Sequence, residues 1–189
     1  MKSLLLFLLT LLPLHAQSGE ELVAAARKQI GVTLRYDPAY TSLAYPGGDV
    51  PEDRGVCTDV VIRAMRAGLS KDLQQLVHQD MGGNFSAYPK NWSLSKPDKN
   101  IDHRRVPNLQ TYFKRQGWQL ALPTPPVLTE FRAGDLVTCT VPPNLPHIMI
   151  VSDKKSEAGV PFVIHNIGGG TREEDRLGDF PLTGHYRMK

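Results

Sequence analysis

The chain has 189 residues, 41% of them hydrophobic and 22% charged, with a formal net charge of +3. That length suits one globular domain and leaves no room for a second of ordinary size. Charges of both signs are interspersed, which argues against a dedicated nucleic-acid binder. Beyond the N-terminus no stretch approaches the roughly 18–20 apolar residues that cross a bilayer.

Met1-Lys2 followed by the apolar run Leu4 to Leu14, with Ala16 before Gln17, reads as a signal peptide. The expected organisation is a cleaved segment 1–16 and one domain over 17–189, working in the periplasm or outside the cell. No membrane association is expected once the signal is removed, and the absence of Cys after the apolar run argues against lipid attachment there. Two cysteines follow, Cys57 and Cys139. In an oxidising compartment they could form one disulfide, or one could be a reactive thiol and the other a core residue.

A helix is expected from Gly19 to the Gly31 stop, with acidic residues in its first turn and basic ones near its end. Residues 32–56 read as a loop. Val60, Val61, Ala64, Met65 and Gly68 recur at helical spacing and predict a second helix from Cys57 to Ala67. Ser70 is the expected N-cap of a third helix reaching Met81, with His78 on its surface. A polar stretch 82–103 precedes a fourth helix that carries Leu109, Tyr112 and Phe113 and ends at Gly117. Then β-branched runs predict strands at 136–141, 147–151 and 162–165, with a short last one near His185-Tyr186. Helices first and an antiparallel sheet second make the fold α+β.

Cys57 opens its helix after Arg54-Gly55-Val56, where the helix dipole would favour thiolate and Gly55 lets the backbone come close. A turn centred on Ser156 sets His147 directly opposite His165, with both imidazoles on one face. Such a pair suits a base and its orienter in a Cys–His–His arrangement. Cys139 alternates with Val137 and Val141 and reads as core. A zinc site from His147, His165, His185 and an acid is the less favoured alternative, because no pair has the close spacing of helical zinc ligands. No cofactor or metal is expected. Gly168-Gly169-Gly170 lacks the following Lys and Ser/Thr of a phosphate loop and reads as a turn.

The succession of a helix-initiating Cys57, Ala133-Gly-Asp-Leu-Val137, His147-Ile-Met-Ile-Val151 and Val163-Ile-His165 resembles the NlpC-type cell-wall cysteine peptidases. These are relatives of the CHAP amidases within the papain-like superfamily. The strings around Cys57, Asn100 to Leu109 and Ile164 to Gly168 are similar to an exported bacterial branch with no assigned activity. Cys-Thr-Asp stands where that family has Cys-Ser-Gly, Met149 where it has Gly, a Pro precedes His147, and the insert at 70–106 is large. The resemblance implies a papain-like fold and an amidase or endopeptidase acting on peptidoglycan stem peptides. Cys57 would be the nucleophile, His147 the base and His165 the third member. Tyr45 and Asp59 are candidate contacts near the nucleophile. Arg104 and Arg105, whose forks suit carboxylates, are candidate substrate clamps or else a locally paired loop. A non-catalytic wall-binding module on the same fold is the rival reading.

Overall fold

The structure, a computed structural model, describes residues 14–189, and side chains from residue 18 onward. The expected signal segment therefore lies outside the described residues up to position 13. α1 (Leu14–Arg27) starts earlier and ends sooner than expected, with turns over 28–32. It buries Leu22, Val23 and Ala26 against α2 (Cys57–Leu69), and Gly68 lets the two helices meet. A Cβ there would come within 2.7 Å of the Glu21 carbonyl oxygen.

The loop between these helices contains a two-stranded parallel pair, β1 (Arg35–Tyr36) and β2 (Arg54–Gly55). Ser70 does not cap the third helix. It closes α2 in the left-handed region at φ 53°, and α3 (Leu73–Asn84) begins behind Asp72, whose carboxylate accepts from the Gln74 N–H. Asp72 wins that position because it also accepts from Gly47 N–H and Arg66, so its rotamer is held. His78 is half-buried rather than a surface residue, its ring edge-on to Tyr45 at 5.1 Å. α4 (Val106–Arg115) carries Pro107 in its first turn and buries Leu109, Tyr112 and Phe113, as the spacing predicts.

The second half is an antiparallel sheet of β3 (Leu136–Val141), β4 (Leu145–Lys155), β5 (Pro161–Asn166), β6 (Thr171–Glu174) and β7 (Leu182–Tyr186), ordered β6-β5-β4-β3-β7. Alternation divides its side chains between two cores. Leu136, Ile148, Ile150 and Ile164 meet Leu22, Val61, Met65, Leu109 and Phe113 of the helices. Val137, Cys139, Met149, Val151 and Val163 pack under Phe131 and Leu177. Each such apolar side chain contributes about 1.5–3 kcal/mol on burial. Helices on one face of an antiparallel sheet make the class α+β.

The β4–β5 register differs from the expected one by two residues. Ile150 pairs with Ile164 and Val151 with Val163, while Lys155 pairs with Pro161 across an irregularity between 151 and 155. A slip of two preserves side-chain parity, so His147 and His165 still project from the same face. Outside β7, Gln119 bridges Tyr186, Leu120 N–H donates to His185 O and Arg187 N–H to Trp118 O. Among the described residues no helix is long and apolar enough to cross a membrane.

Candidate active site

Cys57 is the first residue of α2, and Asp59 holds the helix start by accepting the Val56 N–H at 2.7 Å. Gly55 is required here, since a Cβ would come within 2.9 Å of Asp59 Oδ2. The thiol is free and only 3% exposed. Burial pushes it up to about 11, against the pull of the Ile148 and Thr58 backbone N–H groups, and nearby Asp59 adds to the rise. This corrects the expectation of a depressed thiol pKa: removing the sulfur from water outweighs the helix-start donors. Cys139 is also free, fully buried, and pushed up to about 12 by burial.

His147 and His165 are in direct contact. His147 Nε2 lies 2.8 Å from His165 Nδ1, and His165 Nε2 lies 3.1 Å from Glu174 Oε2. The carboxylate can only accept, so a neutral His165 carries its proton on Nε2 and offers Nδ1 as acceptor. His147 must then donate from Nε2, which leaves its Nδ1 as the basic nitrogen. Burial lowers both imidazoles, His147 down to about 3 with His165 and Arg176 adding to the fall. The resting groups are thus a neutral thiol and neutral imidazoles.

Among the described residues no hydrogen bond joins Cys57 to His147. Strand alternation places His147, the Cα partner of Cys139, on the face of Met149 and Val151, whereas Cys57 packs with the helix-side core. The thiol instead meets β4 at the backbone of Ile148, next in the chain. Asn166 ties β5 to the β1–β2 pair that precedes the thiol, its Nδ2 donating to Gly55 O at 3.0 Å and Arg35 O at 3.2 Å.

Sequence reasoning missed Tyr36. Its phenol is raised above its ordinary range by burial and then by the neighbouring Cys57, while the residue as a whole is 41% exposed. Tyr45 sits instead against His78, with the Lys99 ammonium 5.8 Å from its ring. The two tyrosines share one loop, and only the β1–β2 pairing, invisible in so short a segment, separates their roles. Glu174 was missed as well, because Thr-Arg-Glu-Glu reads as a solvated turn.

Arg104 and Asp59 are not substrate contacts. Arg104 Nε and Nη2 meet Asp59 Oδ1 and Oδ2, both at 2.9 Å, with side chains 2% and 3% exposed. The same guanidinium donates to Ala39 O and Asp37 O, so it ties the β1 loop to the nucleophile's helix. The fork is saturated, which removes it as a clamp. Arg105 is also engaged locally, with Asp102 at 3.1 Å and the Trp92 ring 4.0 Å from its centre. His185 lies apart from His147 and His165, bonded through Nε2 to Asp135 at 2.7 Å. Among the described residues no group of three or more His, Cys, Asp or Glu side chains is placed to hold a metal.

Fold and site define an α+β domain with a buried thiol at a helix start and a hydrogen-bonded His–His–Glu chain on the sheet. The chain belongs to the family described as "Domain of unknown function (DUF1287)", whose profile matches residues 23–188. It is 51% identical over 178 residues to the uncharacterized protein YijF of Escherichia coli (strain K12), a match covering 94% of this chain and 85% of that protein.

Proposed function

We propose that the chain is an exported cysteine hydrolase of papain-like, NlpC-type fold that cleaves an amide bond in peptidoglycan stem peptides. The observation that carries this reading is the hydrogen-bonded chain from His147 through His165 to Glu174, which leaves a basic Nδ1 on the residue preceding the one whose backbone touches the Cys57 thiol. In the reaction Cys57 gives its proton to His147 Nδ1 as the sulfur attacks the amide carbonyl. The backbone N–H of Cys57, at the helix start, would steady the oxyanion. His147 then protonates the leaving amine, and water, deprotonated by the same nitrogen, hydrolyses the thioester. Since the imidazole lies on the face of β4 away from the thiol at rest, this mechanism requires the His147 end of β4 to rearrange when substrate enters.

The test is mass spectrometry of muropeptides after incubation with the mature protein and with its Cys57→Ala variant. New fragments that vanish in the variant are expected; identical profiles with protein and with buffer would refute the reading. A second reading, a non-catalytic wall-binding module, draws on the sealed thiol, 3% exposed and raised to about 11. It predicts co-sedimentation with purified sacculi without any change in their muropeptides.

A further inference from the structure

A large cleft lies away from the cysteine. It has a volume of about 800 Å³ and runs between segment 120–133 and the far end of β4, with Leu122, Phe131 and Ser152 among its lining residues. Ser152 is five residues along β4 from His147, about 17 Å at the usual strand rise. Binding sites for small molecules have this size and usually combine apolar walls with a few oriented polar groups.

The polar groups here are built from below. Asp135 is fully buried and gathers four donors: His185 Nε2 at 2.7 Å, Arg187 Nε at 2.6 Å and Nη2 at 2.7 Å, and the Arg132 N–H at 2.9 Å. That arrangement fixes both side chains and leaves His185 Nδ1 and Arg187 Nη1 without a hydrogen bond among the described residues. His185 is 8% exposed, lines the cleft, and has the Phe131 ring 4.3 Å away. Arg132 and Lys155 also line the cleft, and neither has an ion-pair partner among the described residues. Of the two lining acids, Asp153 is paired with Arg27, which leaves Glu130 alone against two free cations. Leu120, Leu122 and Val127 supply an apolar wall.

We infer that this cleft is a binding site for a carboxylate carried on an apolar group, with Arg187 Nη1 seating the anion beside the fixed His185 ring and Arg132 and Lys155 attracting it. The chemistry is shared by the C-terminal residue of an apolar peptide and by a free aliphatic acid. The inference stands apart from the hydrolase proposal and needs no turnover by Cys57.

The test uses calorimetry on the full mature protein with four probes: N-acetyl-alanyl-leucine, its C-terminal amide, octanoate and octanol. At least one acid is expected to bind no less than tenfold tighter than its neutral counterpart. The two arms distinguish peptide from aliphatic acid. The Arg132→Ala/Lys155→Ala variant, altered only at exposed side chains, is expected to lose about tenfold in affinity, the equivalent of one contact at 1.4 kcal/mol. Amide-proton shifts on binding are expected around Leu122 and His185 and not around Cys57. Failure of both acids to bind, equal binding of the neutral probes, or shifts centred on Cys57 would each overturn the inference. Binding retained by a Cys57→Ala variant that cleaves nothing would support it even if the hydrolase proposal failed.

Discussion

Replacing Arg104 by Met tests how the nucleophile's helix is held. The substitution keeps a long apolar stem but removes two bonds to Asp59 and two to the carbonyls of Asp37 and Ala39. Asp59, 2% exposed, would be left with the Val56 N–H as its remaining donor. Breaking a buried pair in this way costs about 3–5 kcal/mol, because a charge stays behind without compensation. For a chain of this size each kcal/mol lowers the thermal midpoint by about 2–4 °C, so a fall of about 6–20 °C is expected. Urea unfolding followed by circular dichroism gives the free energy, and calorimetry gives the midpoint. The double variant Asp59→Asn/Arg104→Met should recover part of the loss, since no buried charge remains. A cost below about 1 kcal/mol for Arg104→Met, or no recovery in the double variant, would refute the buried-pair account.

Three further outcomes follow from the site. Glu174→Gln retains the shape but can donate to His165 and so favours the wrong tautomer; activity should fall about 10- to 100-fold, the usual cost of losing an orienting partner, with His147→Ala costing more, and wild-type rates in Glu174→Gln would remove it from the site. Iodoacetamide should label Cys57 ahead of Cys139, slowly at pH 7 and about tenfold faster per pH unit toward the pKa of about 11; a rate already level by pH 8 would contradict a buried neutral thiol. His147, down to about 3, and His103, down to about 4, both bind protons more readily unfolded than folded, so their stabilisation is complete above pH 6.5 and is lost as pH falls. Between pH 7.5 and 5 each should cost about 2 kcal/mol in urea unfolding, and a stability unchanged over that range would refute the sign.

β3 and the centres of β4 and β5 are legible in the sequence because unbroken β-branched runs lie between Pro, Gly and charged turns. β1, β2 and β6 are not, since Arg-Tyr, Arg-Gly and Thr-Arg-Glu-Glu carry no apolar alternation and pair only because the tertiary structure offers partners. The β4–β5 register was displaced by an irregularity at 151–155 that no residue type announces. At the site, the adjacency of His147 and His165 follows from parity and survives the slip. The depressed thiol pKa does not survive, because a sequence shows the helix start but not the burial over it. Whether Arg104 is a clamp or a paired side chain is not legible, because Asp59, its partner, lies 45 residues away.

The covering of β7 by residues 118–120 has a bearing on self-association. It leaves β6 as the flank of the five-stranded sheet with no strand beside it among the described residues, and an uncovered flank offers unsatisfied amides to any passing chain. Here that flank is Arg172-Glu173-Glu174, followed by Asp175, so a copy added in parallel register would bring like charges together. Glu173 and Glu174 therefore guard solubility while they bond to Arg27 and His165 inside the molecule. Neutralising both would leave a short flat border open to strand addition. Slow clouding of concentrated samples would then accompany any loss of function, and preparations should be checked for it before activity is compared.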